Sequence, residues 1–169
     1  MQTIHFISIL LHILAAVVWI GGMAFLGIVI VPALRRSDLG AKTVEVMHRS
    51  GVRFRAVGWV CFALLLVTGI VNLSRWGVGW ERFTSADLWG STWGHILAVK
   101  LALVVVAIAL SSLHDFVIGP RATVRLRQQA SAAEARRLRR LASWMGRANL
   151  LVAIAIVALA VMLVRGVPV

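Results

Sequence analysis

The sequence is poor in cysteine and in acidic side chains, and both shortages limit the chemistry open to it. Cys61 is the only cysteine among 169 residues, so the chain can form neither an internal disulfide nor a thiolate metal cluster. Six Asp and Glu stand against 18 Lys and Arg. None of the six lies deep within an apolar run, so a buried cation finds no carboxylate at its own depth.

Lys and Arg are missing from the first five residues, Met-Gln-Thr-Ile-His. The apolar run that follows is about twice as long as the core of a signal peptide. We therefore expect this run to be kept as a helix of the protein.

Apolar residues are abundant: 60% of the chain is hydrophobic, and its mean hydropathy is +0.91. Soluble domains contain roughly 45–50% apolar residues. Four runs, at 4–34, 56–74, 89–116 and 148–164, are long enough to cross ~30 Å of hydrocarbon at about 1.5 Å per residue. The sequence predicts an all-α integral membrane four-helix bundle, with residues 1–169 as a single transmembrane domain.

The net charge of +12 is concentrated in two of the connecting segments. Residues 35–55 carry six Lys or Arg, and residues 121–147 carry eight Arg. The positive-inside rule places both segments in the cytoplasm and both termini outside, as in a bacterial-type inner membrane protein. The charge is thus explained by topology and anionic lipid, and nucleic acid is not predicted as a partner.

Both basic segments are predicted to extend a spanning helix into the cytoplasm. Ser37 or Asp38 can cap a helix that runs through residues 39–55 into the second span. Ser131 and Glu134 have the spacing of a capping box ahead of the fourth.

Lys100 lies inside the third apolar run, where a lysine costs about 2.5–3.5 kcal/mol on insertion scales and indicates function. His12 lies at a similar depth in the first run, roughly 12 Å below its outer end. Thr68 and Asn72 on the second run overlap it in depth. At about 100° per residue, these four side chains can all face inward, whereas His95 lies about 140° from Lys100.

Haem b fits this set of side chains, because it is flat and apolar, takes one or two axial ligands and carries anionic propionates. His12 would be the axial ligand. Lys100, His95 or Met162 would be the second ligand or the partner of a propionate. The leading hypothesis is therefore a haem b protein of membrane redox chemistry, with a site in the outer half of the bilayer.

Copper transport or copper tolerance is the alternative, with His5, His12, His95 and Met162 as candidate donors. These donors form neither a Met-x-x-x-Met nor a Cys-x-x-Cys motif. In a third hypothesis the polar side chains only hold helices together in an assembly subunit. The lipid bilayer is the predicted partner, with a redox partner or quinone and a homo-oligomer as further expectations.

His114 and Asp115 stand next to each other at the cytoplasmic end of the third run. An imidazole beside a carboxylate can exchange protons, and the carboxylate can instead pair with Arg121 or Arg125. The sequence favours the ion pair.

Three segments carry a family resemblance: residues 11–36 (LHILAAVVWIGGMAFLGIVIVPALRR), 53–70 (RFRAVGWVCFALLLVTGI) and 100–121 (KLALVVVAIALSSLHDFVIGPR). They resemble the first three helices of the CopD-like (copper resistance protein D) superfamily, which implies copper handling. The architecture is more distantly similar to the HemJ-type protoporphyrinogen oxidases. That resemblance implies haem b, with His12 and Lys100 matching a first-span histidine and a third-span lysine.

The chain differs from the oxidase pattern at two places. Residues 147–150 read Arg-Ala-Asn-Leu where an Asn-Glu-x-Pro-like motif is expected, and residues 32–36 replace an arginine-aromatic ending of the first helix. Haem binding is therefore expected from the resemblance, and the protoporphyrinogen oxidase activity is not.

Overall fold

A chain in hydrocarbon must satisfy its backbone N–H and C=O groups internally, and an α-helix does so within one segment. The computed structural model describes residues 2–36, 41–119, 121 and 132–166, and these residues form helices and short turns without a strand. Four helices are long and apolar enough to cross a membrane, which confirms the predicted fold class. They are Gln2–Leu34, Glu45–Arg75, Thr92–Ile118 and Arg140–Arg165, here called spans 1 to 4.

Spans 1 and 3 each contain a π-helical segment in their last third, which hydropathy did not predict. Span 1 is α-helical over Gln2–Phe25, π-helical over Leu26–Ile30 and α-helical again over Val31–Arg36. Span 3 is α-helical over Thr92–Ser112 and π-helical over Leu113–Ile118. Such segments insert an extra residue per turn and are frequent at functional sites.

Spans 2 and 4 belong to helices that are longer than a membrane requires. The helix Ala41–Arg75 has 35 residues and the helix Ala132–Arg165 has 34, whereas about 20 residues cross the hydrocarbon. The predicted extensions of both helices are therefore present. The proposed caps at Ser37, Asp38 and Ser131 lie outside the described residues.

The third span begins later than its hydropathy indicates. Its helix starts at Thr92, because the Ser91 hydroxyl caps it by accepting a hydrogen bond from the Gly94 backbone N–H at 3.0 Å. Trp89 belongs instead to a separate short helix, Ala86–Gly90, which follows another, Trp80–Phe83. A start at residue 89 was therefore wrong by three residues.

The four spans pack as two pairs, span 1 with span 2 and span 3 with span 4, and spans 1 and 4 join the pairs. The buried centre contains Trp19, whose ring centroid is 4.7 Å from that of Phe62, and small residues that let the helices approach. We call this centre the apolar core; its buried members are Ala15, Trp19, Cys61, Phe62, Ala107 and Ala153.

Most other apolar side chains of the spans point outward. Ile4 is 67% exposed, Ile70 69% and Leu151 68%. A soluble protein rarely exposes so large a continuous apolar surface, whereas a membrane protein presents it to lipid. A functional site is therefore expected among the polar side chains on the inside of the bundle.

Candidate functional site

His12 and Thr68, 56 residues apart in sequence, meet across the contact between spans 1 and 2. His12 Nδ1 is 2.8 Å from Thr68 Oγ1, and the Thr68 hydroxyl donates to the backbone oxygen of Leu64, one turn earlier, at 2.5 Å. A hydroxyl has one proton, so the Thr68 oxygen must accept its other bond from an N–H of the ring. His12 therefore carries its proton on Nδ1, and the lone pair of Nε2 is free to bind a ligand.

The backbone around this pair is arranged to leave the ring room. A Cβ added at Gly69 would lie 3.5 Å from His12 Cε1, an ordinary contact, so the ring rests against bare backbone there. The Ser8 hydroxyl donates to the Thr68 backbone oxygen at 3.4 Å and ties span 1 to span 2 one turn before His12. Thr68 and Ser8 are both buried.

Two further polar atoms near the outer end are buried without a hydrogen-bond partner in the described part of the chain. They are Asn72 Oδ1, one turn beyond Thr68, and His5 Nδ1, two turns before His12. A buried polar atom left without a partner costs free energy, and it points to a ligand or water when it persists. Spans 1 and 2 thus each carry a buried polar atom whose hydrogen-bonding capacity is not used by the described residues.

Lys100 of span 3 lies near enough to His12 for its ammonium charge to act on the imidazole, and its side chain is half-buried. No ion pair joins Lys100 to a carboxylate among the side chains that the structure describes. His12, Thr68 and a cation without an ion-pair partner there therefore lie in one region of the bundle.

The remaining candidate ligands do not join this group. His95 is exposed near the start of span 3. Met162 of span 4 is partly buried, and neither residue forms a hydrogen bond or ion pair with His12 within the described ranges. The second axial ligand proposed for His95 or Met162 thus has no support from their placement.

Bare metal ions need several protein donors, and the described residues contain no group of three or more His, Cys, Asp or Glu that can hold one. The donor set at this site is a single imidazole with a fixed tautomer, beside a cation. That set suits a ligand which brings most of its own metal donors.

Two open grooves lie elsewhere and do not include His12. One, of about 450 Å³, is apolar and is formed by spans 1 and 2 between Leu11 and Val18 and between Ala56 and Leu64. The other, of about 370 Å³, lies at the outer end between Trp76, Trp93 and Leu163. Their walls fit acyl chains and headgroups of lipid, so we do not place the site in either.

Sequence reasoning missed a second polar cluster, in the half of the bundle that lies away from the two termini. The buried Asn149 of span 4 donates through Nδ2 to Ser111 Oγ at 3.0 Å and to Met23 Sδ at 3.5 Å, so three spans converge on one amide. The sequence feature that could have revealed this cluster is Asn149 itself, a lone amide near the start of the otherwise apolar part of span 4. It was interpreted only as a departure from a family motif.

His114 and Asp115 contact each other, and Asp115 does not form the expected ion pair with Arg121. His114 Nδ1 is 3.0 Å from Asp115 Oδ1, and Trp59 Nε1 of span 2 donates to Asp115 Oδ2 at 3.1 Å. Arg121 forms no ion pair with this carboxylate, and Arg125 lies outside the described residues.

Comparison with known proteins agrees with the resemblance carried by the sequence motifs. An uncharacterized protein of Aquifex aeolicus (strain VF5) is 28% identical over 152 residues, which cover 89% of each chain. No solved structure matches. The family model for copper resistance protein D matches residues 48–163, which include Thr68, Lys100 and Asn149 but not His12. Because that match spans more than half of the chain, the protein belongs to the CopD, or copper resistance protein D, family.

Proposed function

We propose that this CopD-family membrane protein binds haem b in the outer half of the bundle and takes part in electron transfer in the membrane. The observation that carries the proposal is the 2.8 Å contact between His12 Nδ1 and Thr68 Oγ1, whose hydroxyl donates to Leu64; we infer from it that His12 is protonated on Nδ1 and offers Nε2 as a ligand. A histidine held in this way is the usual form of a protein ligand to iron.

A single imidazole favours haem over a bare ion. The porphyrin supplies the equatorial donors of its iron, so the protein needs to add only one or two axial ligands. A copper ion in a protein takes two to four protein donors, and the described residues contain no group of three or more His, Cys, Asp or Glu that can hold one. When bound, the group would supply one-electron redox chemistry.

Lys100 has a place in the same proposal. An ammonium group in hydrocarbon needs an anion or must lose its proton. A propionate is an anion that the ligand itself brings, and Lys100 is a half-buried cation whose charge reaches His12. Lys100 would hold the ligand by charge while His12 holds it by coordination.

Copper handling is the second candidate, and the family match favours it. The name of the matched family refers to copper resistance, and the matched residues include Lys100, His95 and Met162. In this case His12 and His5 would serve as successive donors along span 1, seven residues apart. In either case we propose the inner membrane, with both termini outside and the basic segments in the cytoplasm.

The test is the absorption spectrum and metal content of the full-length protein purified in mild detergent. We expect a Soret band that is lost in His12→Ala. The band should be kept in the matched control His95→Ala, which removes an exposed histidine instead. A colourless protein with stoichiometric copper, lost in His12→Ala, would establish copper handling instead. A protein that binds neither would exclude both and leave an assembly role.

A further inference from the structure

A histidine–carboxylate pair, His114 and Asp115, lies at the inner end of span 3, and Trp59 of span 2 contacts its carboxylate. Adjacent side chains on an α-helix do not face each other, and the contact between His114 and Asp115 is made inside the π-helical segment Leu113–Ile118. Trp59 holds the other carboxylate oxygen from span 2. The carboxylate is thus positioned by two ring N–H groups, and its side chain is 19% exposed.

No fixed cation neutralises this carboxylate in the described part of the protein. Arg55 of span 2 is near, but its Nη1 donates to the backbone oxygen of Asp115 at 3.1 Å and not to the carboxylate. On span 4, the Arg147 guanidinium lies over the Trp144 ring, 5.7 Å from its centroid. Span 1 contributes no titratable side chain over 25–34. The described contacts of this carboxylate are therefore two ring N–H groups and no cation.

The tautomer of His114 is fixed in the same way as that of His12. Because the Asp115 carboxylate accepts from Nδ1–H, the lone pair of His114 lies on Nε2. The His114 side chain is 41% exposed, so Nε2 can exchange a proton with water at the inner face.

Ser111 and Asn149 lie one turn further into the bundle than Asp115, and the side-chain oxygen of Asn149 is buried. Ser111, four residues before Asp115, accepts a hydrogen bond from Asn149 Nδ2 and keeps its own proton for another partner. The Asn149 side-chain oxygen has no hydrogen-bond partner among the described residues, although Asn149 is only 6% exposed. A donor and an acceptor that both need a partner fit a hydroxylic species such as water or hydronium.

The apolar core separates this inner cluster from His12. Ala107 lies between Lys100 and Ser111 on span 3, and Ala153 follows Asn149 on span 4. Both alanines are fully buried. The inner cluster is therefore a site of its own, open to one side of the membrane.

We propose that His114 and Asp115 form a proton-exchange site at the inner end of the bundle. His114 Nε2 takes a proton from a hydronium ion at the inner face, which becomes water, and Nδ1 passes its proton to Asp115 Oδ1. The imidazole is then neutral again, the carboxylate has become a carboxylic acid, and the pair has bound one proton. Trp59 is a positioning residue, and Ser111 with Asn149 carries the polar path one turn further in.

Infrared difference spectroscopy of the full-length protein in lipid bilayers, between acidic and alkaline buffer, tests this site. We expect a C=O band of a protonated carboxyl that Asp115→Asn removes and Asp87→Asn, which removes an exposed acid of the outer loop, does not. In His114→Gln the exchange of this carboxyl proton for deuterium should slow by at least about tenfold, because the relay is gone.

Two outcomes would overturn the proposal: no band that depends on Asp115, or unchanged exchange kinetics in His114→Gln. If Asp115→Asn does not fold, Trp59→Phe provides the same test, since loss of one hydrogen bond must move the Asp115 band to higher wavenumber. An unmoved band in that variant contradicts the site. The readout requires neither haem nor copper, so it is independent of the proposed function.

Discussion

At the scale of single residues, Thr68 determines what His12 can do. Its hydroxyl is anchored to the Leu64 carbonyl, and this bond forces the His12 ring to donate from Nδ1. A free histidine in a membrane helix has either nitrogen available, whereas this one offers Nε2. The role of the imidazole is therefore set by a residue on another span.

Replacing Thr68 with Val should weaken both the fold and the site, because the His12 N–H loses its acceptor. Interhelical hydrogen bonds in membranes are worth about 0.6–2 kcal/mol, and we expect a loss of this size in the free energy of unfolding in detergent. Thr68→Ser keeps the hydroxyl and is the matched control. Equal stability of the Val and Ser variants would contradict the assigned hydrogen bond.

At the scale of helices, the contact between spans 1 and 2 depends on one glycine of an adjacent pair. A Cβ at Gly22 would overlap the Phe54 ring, whereas a Cβ at Gly21 meets nothing within 4 Å. The structure assigns close packing to Gly22 and leaves Gly21 exposed.

Gly22→Ala should destabilise the protein by about 1–3 kcal/mol, because the Phe54 ring must leave its place against span 1. Gly21→Ala adds the same methyl group one residue away, in open space, and should leave stability unchanged or slightly raised. Thermal unfolding of both variants in the same detergent measures the difference. Similar midpoints for the two variants would show that spans 1 and 2 do not pack at Gly22.

At the scale of the whole molecule, charge and hydropathy together predict the orientation. Basic side chains are concentrated on the segments that join span 1 to span 2 and span 3 to span 4. The polar sites follow the same division, with His12 towards the termini and His114 towards the basic side. If the positive-inside rule holds, the His12 site opens to the outside and the proton-exchange site to the cytoplasm.

Cysteine labelling in intact cells tests this orientation. In a Cys61→Ser background, Ala86→Cys on the segment between spans 2 and 3 should react with a membrane-impermeant maleimide from outside. Ala133→Cys, at the far end of the span 4 helix, should react only after lysis. Both positions are exposed, so burial does not distinguish them. The reverse labelling pattern would invert both sites.

The sequence by itself determined the helical class, the number of spans and the polar residues that are candidates for a site. These follow from local properties: hydropathy over about 20 residues sets a span, and a period of about 3.6 residues sets its faces. The contact between the faces of spans 1 and 2 that carry His12 and Thr68 could be anticipated in this way.

Only the tertiary structure decided which atoms of these residues are available. The His12 tautomer depends on a hydroxyl 56 residues away, and the Asp115 carboxylate depends on Trp59 from another span. The convergence of Met23, Ser111 and Asn149 was likewise hidden, because rotation and tilt of neighbouring helices are set by packing and not by their own periodicity. Hydrogen bonds between spans are non-local, and no local pattern encodes their partners.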